Sequence, residues 1–380
     1  MRRKQLALAA AAVAVGVLIT STGTSRHHVV HTDATTTTST ALRAAAPTSD
    51  TATPATPSPV TAASELGSGE TVTIAFAGDM NFETGMDKRL AANPATAVGP
   101  FTPILKAADL AVGNLETSVG THGTPEKKEF TFQAPPSAIT ALRAGGFDTV
   151  SLANNHGRDF GAVGLADSLA VSAAQADHFL IGLGKDDTEA YAPFRATIKG
   201  QRIAVIGATQ VIDGEFVSSW TAAPGHPGLA SAKEVEKLAA AVKAARDTSD
   251  TVIVFLHWGV ERNTCPSADQ KALARALADA GADIVIGGHA HRLQGAGYLG
   301  KTFVGYGLGN FNFYANGAEA ARTGVVQVKV TGHRVDAYEF IPGKISGSLA
   351  QPLTGAAATE AKAYWESLRP CTALSATPTS

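Results

Sequence analysis

Five short polar clusters punctuate the central part of the chain: Gly78-Asp79-Met80-Asn81, Gly113-Asn114-Leu115-Glu116, Ala153-Asn154-Asn155-His156, His257-Trp258-Gly259 and Gly288-His289-Ala290-His291. Imidazole nitrogen and carboxylate oxygen are the common donors to divalent metal ions, and small Gly-flanked turns let such side chains converge. His289 and His291, at i and i+2, share a direction on an extended segment or in a turn. One histidine near a strand end is ordinarily a hydrogen-bonded structural residue. Five clusters, each placed after an apolar run, are hard to explain by packing and point to a metal site.

Those clusters need elements that bring them to one place. Short β-rich apolar runs recur at 71–77, 110–112, 149–152, 179–183, 202–206, 252–256, 284–286 and 302–306. Between several of them, 138–144, 163–176, 233–245 and 269–280 carry apolar residues at the i, i+3, i+4 spacing of a helix. Alternation of this kind predicts an α/β architecture with helix-covered sheets, whose ligands gather outside the carboxyl ends of the strands. From Val325 to Ile341 the pattern becomes a hairpin, turning at Thr331-Gly332-His333. Residues 295–300 fit G-x-G-x-x-G but precede a strand instead of linking a strand to a helix, so they do not mark a dinucleotide site.

The flanks have a different character. Arg2, Arg3 and Lys4 precede an apolar run from Leu6 to Ile19, the pattern of a signal peptide or N-terminal membrane anchor over 1–25. Either form places the rest of the chain outside the cytoplasm, because the positive end stays inside. Residues 26–69 are Thr, Ala, Ser and Pro with almost no large apolar side chain, and read as a disordered linker. The folded domain is expected over 70–373, with a disordered tail at 374–380. The 31 Lys+Arg nearly balance 33 Asp+Glu, which excludes a broadly basic nucleic-acid binder. Two cysteines cannot build a four-thiolate zinc site. In an oxidising compartment Cys265 and Cys371 are expected to pair, closing a long loop and pinning the C-terminal segment beside the site.

The phrases FAGDM, ADLAVGNLET, KEFTFQAPP, LANNHGRDFG, FLHWGVE, DAGADIVIGGHAH and YGLGNF resemble, in this order, the CapA family associated with poly-γ-glutamate capsule synthesis. That family is similar to the calcineurin-like metallophosphoesterases. The resemblance covers about 72–313 and implies a four-layer α/β/β/α sandwich with one or two divalent ions (Mn, Zn, Fe or Co) between the sheets. Carried over by position, it implies metal-ligand roles for Asp79, Asn114, Glu116, Asn155, His257, His289 and His291, and a substrate-facing catalytic role for His156. Asn114 stands where the wider superfamily has a bridging Asp, and a neutral amide compensates two adjacent cations poorly. Glu116, two residues on, is expected to restore that charge. Asp159 is a candidate to orient the His156 imidazole, or to cap a helix. Asn310 is expected to support the site through hydrogen bonds. Lys127 and Lys128, just before an expected strand at 130–132, would meet an anionic polymer or phosphate, or form a solvated basic turn.

Three functions follow from these readings. The first is an exported CapA-like protein that acts, beside membrane-bound polymer-synthase subunits, on an anionic polymer or a phosphorylated envelope substrate. The second is a general extracytoplasmic metallophosphoesterase. The third is a non-catalytic polymer-binding or scaffold subunit.

Overall fold

The computed structural model describes residues 66–379, so the expected leader at 1–25 and all but the last four residues of the expected linker lie outside the described residues. Two large sheets face each other. In the first, Val72–Met80, Leu110–Leu115, Thr149–Ser151 and Leu180–Ile181 run parallel, and the long hairpin Arg322–Thr331/Arg334–Ser346 with Leu349–Pro352 extends it antiparallel beyond Val72–Met80. In the second, Gln201–Thr209, Thr251–Trp258, Ile284–His289 and Thr302–Gly305 run parallel, with antiparallel strands Phe194–Ile198 and Ala296–Leu299 at the two edges.

The period-two alternation of each strand decides the layering. Ile74 and Phe76 meet Val205, Ile253, Phe255, Ile284 and Ile286 in a core between the sheets. Their neighbours Ala75 and Ala77 face outward into a core with Ile139, Leu142 and Leu165 of the helices Ser137–Gly145 and Gly161–Ala173. On the other side Ile206, Val254 and Leu256 pack on Leu238, Val242, Leu273 and Leu277 of the helices Val235–Arg246 and Ala268–Asp279. The result is a four-layer α/β/β/α sandwich. Local signals agree with these limits. Ser267 and Gln270 form a capping box at the start of 268–279, and Gly146, at φ 97°, ends 137–145. Among the described residues no helix is long and apolar enough to cross a membrane.

Four local expectations need correction. The run at 179–183 is two short strands, because Gly182 at φ 84° breaks the ladder between Leu180–Ile181 and Leu183–Gly184. Residues 130–132 are not a strand; the Phe132 amide donates to the Asp159 carboxylate instead of to a neighbouring strand. The C-terminal segment is ordered. Ser375 exchanges backbone hydrogen bonds with Tyr298, and Thr379 donates to Gly300. At the other end of the domain, the Gln201 amide donates to the carbonyls of Leu66 and Glu70, so the last residues of the expected linker dock against it. Cys265 and Cys371 are joined by a disulfide, 106 residues apart in sequence.

The two sheets make contact at the carboxyl ends of their parallel strands. The segment leaving the second sheet crosses to the first there: the Asp79 amide donates to Gly309 and the Phe311 amide to Asp79. Such an approach leaves no room for side chains. A Cβ on Gly288 would lie 2.1 Å from Asp79 Oδ1, and one on Gly78 would lie 2.0 Å from the Gly309 carbonyl oxygen.

Candidate metal centre

Each polar cluster stands where a parallel strand ends, so strand register becomes site geometry. Asp79 lies opposite Asn114 across one strand pair, and Trp258 opposite His289 across another. Asp79, Asn114, Glu116 and His257 are buried almost completely, and His289 nearly so. The Asp79 carboxylate is held from both sheets: Asn114 Nδ2 donates to Oδ1 at 2.9 Å, and the His289 amide donates to Oδ2 at 2.9 Å. His289 and His291 both have left-handed backbones, φ 96° and 51°, so they share a direction through a turn and not through an extended segment. Non-glycine residues held there cost about 1–3 kcal/mol each, strain that the surrounding structure must over-determine.

The imidazoles converge on Glu116. Its Oε1 lies 3.7 Å from Nε2 of His257, 3.7 Å from Nε2 of His291 and 3.8 Å from Nε2 of His156. His257 Nε2 is also 2.7 Å from Asn155 Oδ1 and 3.1 Å from His289 Nδ1. On the other side His291 Nδ1 approaches Asp79 Oδ2 at 3.4 Å and Asn310 Oδ1 at 2.8 Å. Two groups of donor atoms close enough to share a cation result: Glu116 with His257 and His289, and Asp79 with Glu116 and His291. Glu116 belongs to both. Neither of its carboxylate oxygens has a hydrogen-bond partner, although both are buried. A buried carboxylate without partners is costly, and a cation between donors of this chemistry would offset the cost. The residues therefore fit divalent metal ions.

Electrostatics fits the same reading. Burial pushes the Glu116 carboxyl well above the usual carboxylate range, with Asp79 and Glu261 adding to the rise and His291 opposing it. Burial holds His257 well below the ordinary histidine value and takes His289 down to about 3, so both imidazoles stay neutral with lone pairs available. For His291 burial acts downward too, but Glu116 and Asp79 outweigh it and the value rises to about 9.

Asn114 lies within the same buried cluster. Its amide nitrogen faces Asp79 and His257 Nδ1, and its oxygen accepts from Asn154 Nδ2 at 3.0 Å. It braces the centre, and the carboxylate common to both donor groups is Glu116. Asn154, named in its cluster but given no role there, ties Asn114 and the Leu115 carbonyl to the His156 amide. Its place beside the Asn155-His156 pair was the only available signal. His156 Nδ1 meets Asp159 Oδ2 at 2.5 Å, and burial lowers the His156 value while Asp159 resists. The Phe132 ring lies 4.2 Å from the His156 ring and Phe313 lies 4.9 Å from His291, giving the centre aromatic walls that sequence spacing had not revealed. Lys127 is exposed, whereas the Lys128 ammonium turns inward onto Asp159. Asn310 holds His291 and donates to the Ala320 carbonyl.

Comparison with known proteins gives consistent matches. Residues 73–315 match the family described as bacterial capsule synthesis protein PGA_cap. The chain is 29% identical to a capsule biosynthesis protein CapA of Bacillus anthracis over 67% of this chain and 62% of that protein, so more than a third of the relative is unmatched. It is 28% identical to a PGA biosynthesis protein CapA of Bacillus subtilis over 75% of each chain. Among solved structures, a hypothetical protein from Thermus thermophilus superposes with a TM-score of 0.48 at 18% identity, over 72% of this chain and all of that one.

Proposed function

The chain belongs to the bacterial capsule synthesis PGA_cap family, and from that premise we propose that its buried centre is a divalent-metal hydrolase site serving the synthesis, release or export of a poly-γ-glutamate or related anionic envelope polymer. The observation that carries this reading is Glu116: a fully buried carboxylate, without hydrogen-bond partners, common to two groups of metal donors. The names of the Bacillus relatives supply the polymer. The basic, apolar N-terminus supports the placement, in which the domain works outside the cytoplasm beside membrane-bound synthase subunits.

Asp79, Glu116, Asn155, His257, His289 and His291 would hold one or two ions. When bound, such ions polarise a phosphoryl or carbonyl oxygen and supply a hydroxide nucleophile near neutral pH. The chain's own residues do the rest. His156 presents Nε2 toward the same space as Glu116, with Nδ1 fixed by Asp159, so a proton can be held or moved at Nε2 beside a leaving oxygen. The Phe132 and Phe313 rings lie against the His156 and His291 imidazoles.

Elemental analysis of the purified protein beside a His289→Ala/His291→Ala variant tests the proposal. Near-stoichiometric metal that the variant loses is expected, followed by turnover when phosphoesters and polyglutamate are screened with that metal. A wild type that stays metal-free after reconstitution with Mn, Zn or Fe would overturn the hydrolase reading and leave a polymer-binding or scaffold role.

A further inference from the structure

Lys128 is a cation in a loop otherwise facing solvent, yet its side chain is only 8% exposed. Its ammonium donates to Asp159 Oδ1 at 2.6 Å and to the Asn155 carbonyl, and it lies 4.9 Å from the centre of the Trp220 ring. An ammonium has three donor hydrogens, and these three neighbours engage the accessible directions. Asp159, fully buried, is equally committed. One oxygen takes Lys128, and the other takes His156 Nδ1 and the Phe132 amide. The two sides of the Asn155-His156 turn are thus fixed by one charge: Asn155 through its carbonyl, His156 through the carboxylate that Lys128 neutralises. From that turn Asn155 Oδ1 reaches His257, and His156 Nε2 reaches Glu116.

We infer that Lys128 is a positioning residue, which acts through Asp159 and the Asn155 carbonyl to aim Asn155 and His156 at the metal centre, and is not a substrate-binding cation. For its effect on turnover the inference rests on the hydrolase reading above; its effect on the imidazole does not. The Lys128–Asp159–His156 chain dictates the tautomer: with Asp159 ionised and accepting from Nδ1–H, Nε2 is left free to face Glu116. A Lys128→Met change removes one of the contacts that fix the buried Asp159 carboxylate, which frees the imidazole it holds.

The test compares wild type with Lys128→Met, Asp159→Asn and the double variant, which removes both charges together and so guards against misfolding of the single lysine variant. Two-bond ¹H–¹⁵N NMR on the metal-free full-length protein reports the His156 tautomer directly. The Nδ1–H form is expected in wild type and lost in Lys128→Met, while Lys127→Met, an exposed neighbour, leaves it in place. Steady-state kinetics on a chromogenic phosphodiester with Mn²⁺ give the second readout. Lys128→Met is expected to lower kcat by roughly 10–100-fold with KM little changed, the size usual for partners that orient a site residue. The double variant is expected to be no worse than Asp159→Asn, because the lysine acts through that carboxylate. A raised KM at unchanged kcat, multiplying losses in the double variant, or an unaltered tautomer in Lys128→Met would each overturn the inference. If wild type holds no metal the hydrolase reading falls, and the tautomer measurement still decides the role of Lys128.

Discussion

Replacing Glu116 by Gln separates what the carboxylate costs the fold from what it contributes to the metal centre. In the metal-free protein both oxygens are buried without a hydrogen-bond partner, and the folded-state value lies well above the unfolded one. A carboxyl raised in this way is stabilising in its protonated form. Its contribution is full below the unfolded value near 4.5 and is lost as pH rises through the folded value. At neutral pH the isosteric amide therefore costs nothing, and metal-free Glu116→Gln is expected to melt at or above metal-free wild type. Metal reverses the order. An ion at 100 times its Kd stabilises the folded state by about 2.7 kcal/mol. With an unfolding entropy of about 2.1 cal/mol/K per residue over roughly 300 folded residues, that becomes about 4 °C in Tm. Calorimetric melting of both proteins, metal-free and then titrated with Mn²⁺ or Zn²⁺, reads the two terms separately. Wild type is expected to gain about 4 °C where the variant gains none. Equal metal content and equal gain in the variant would show that Glu116 is not the shared ligand. A metal-free variant melting several degrees below wild type would show that the attraction between the carboxylate and the His291 imidazole at 3.7 Å outweighs the cost of its burial.

Three further outcomes are expected. His291 at about 9 is largely protonated in the metal-free protein at neutral pH, so a cation that takes its lone pair should expel that proton. Affinity should therefore rise with pH up to about 9, and titration calorimetry in buffers of different ionisation enthalpy counts the protons; no release at neutral pH would contradict the assignment. Gly288→Ala places a methyl 2.1 Å from Asp79 Oδ1. It should cost about 1–3 kcal/mol in chemical denaturation and abolish stoichiometric metal uptake, whereas retained uptake would mean the sheets can part there. Removing the Cys265–Cys371 cross-link with paired serines should lower stability by about 2–4 kcal/mol, since it closes a 106-residue loop. Maleimide labelling of both thiols in the native protein without reductant would show that the link does not form.

The alternation of apolar strands with 3.6-period helices made the layered architecture legible, and the polar clusters after those strands marked the centre. Both are local signals: a strand's face and its end are written in neighbouring residues. What was not legible depends on partners distant in sequence. The direction of Lys128 is set by Asp159 and the Asn155 carbonyl, 31 and 27 residues away, and nothing in a Lys-Lys pair distinguishes the exposed ammonium from the buried one. The hydrogen bonds that hold Asn114 to Asp79 and Asn154 come from two other strand ends. The left-handed backbones at His289 and His291 have no sequence period that would announce them. The C-terminal segment has few apolar residues and reads as solvated, yet it docks by main-chain pairing, which composition does not report.

That docking bears on how the protein behaves in company. The strand Ala296–Leu299 is an outer edge of the second sheet, and an uncovered edge offers its unpaired amides and carbonyls to any other chain. Here Ser375 and Thr379 lie along it, tied in place just after the Cys371 cross-link. Trimming the chain after Cys371 would remove no residue of the metal centre, but it would turn a covered edge into a template for intermolecular pairing. Loss of the last few residues should therefore show first as self-association and loss of solubility, with the metal centre still intact.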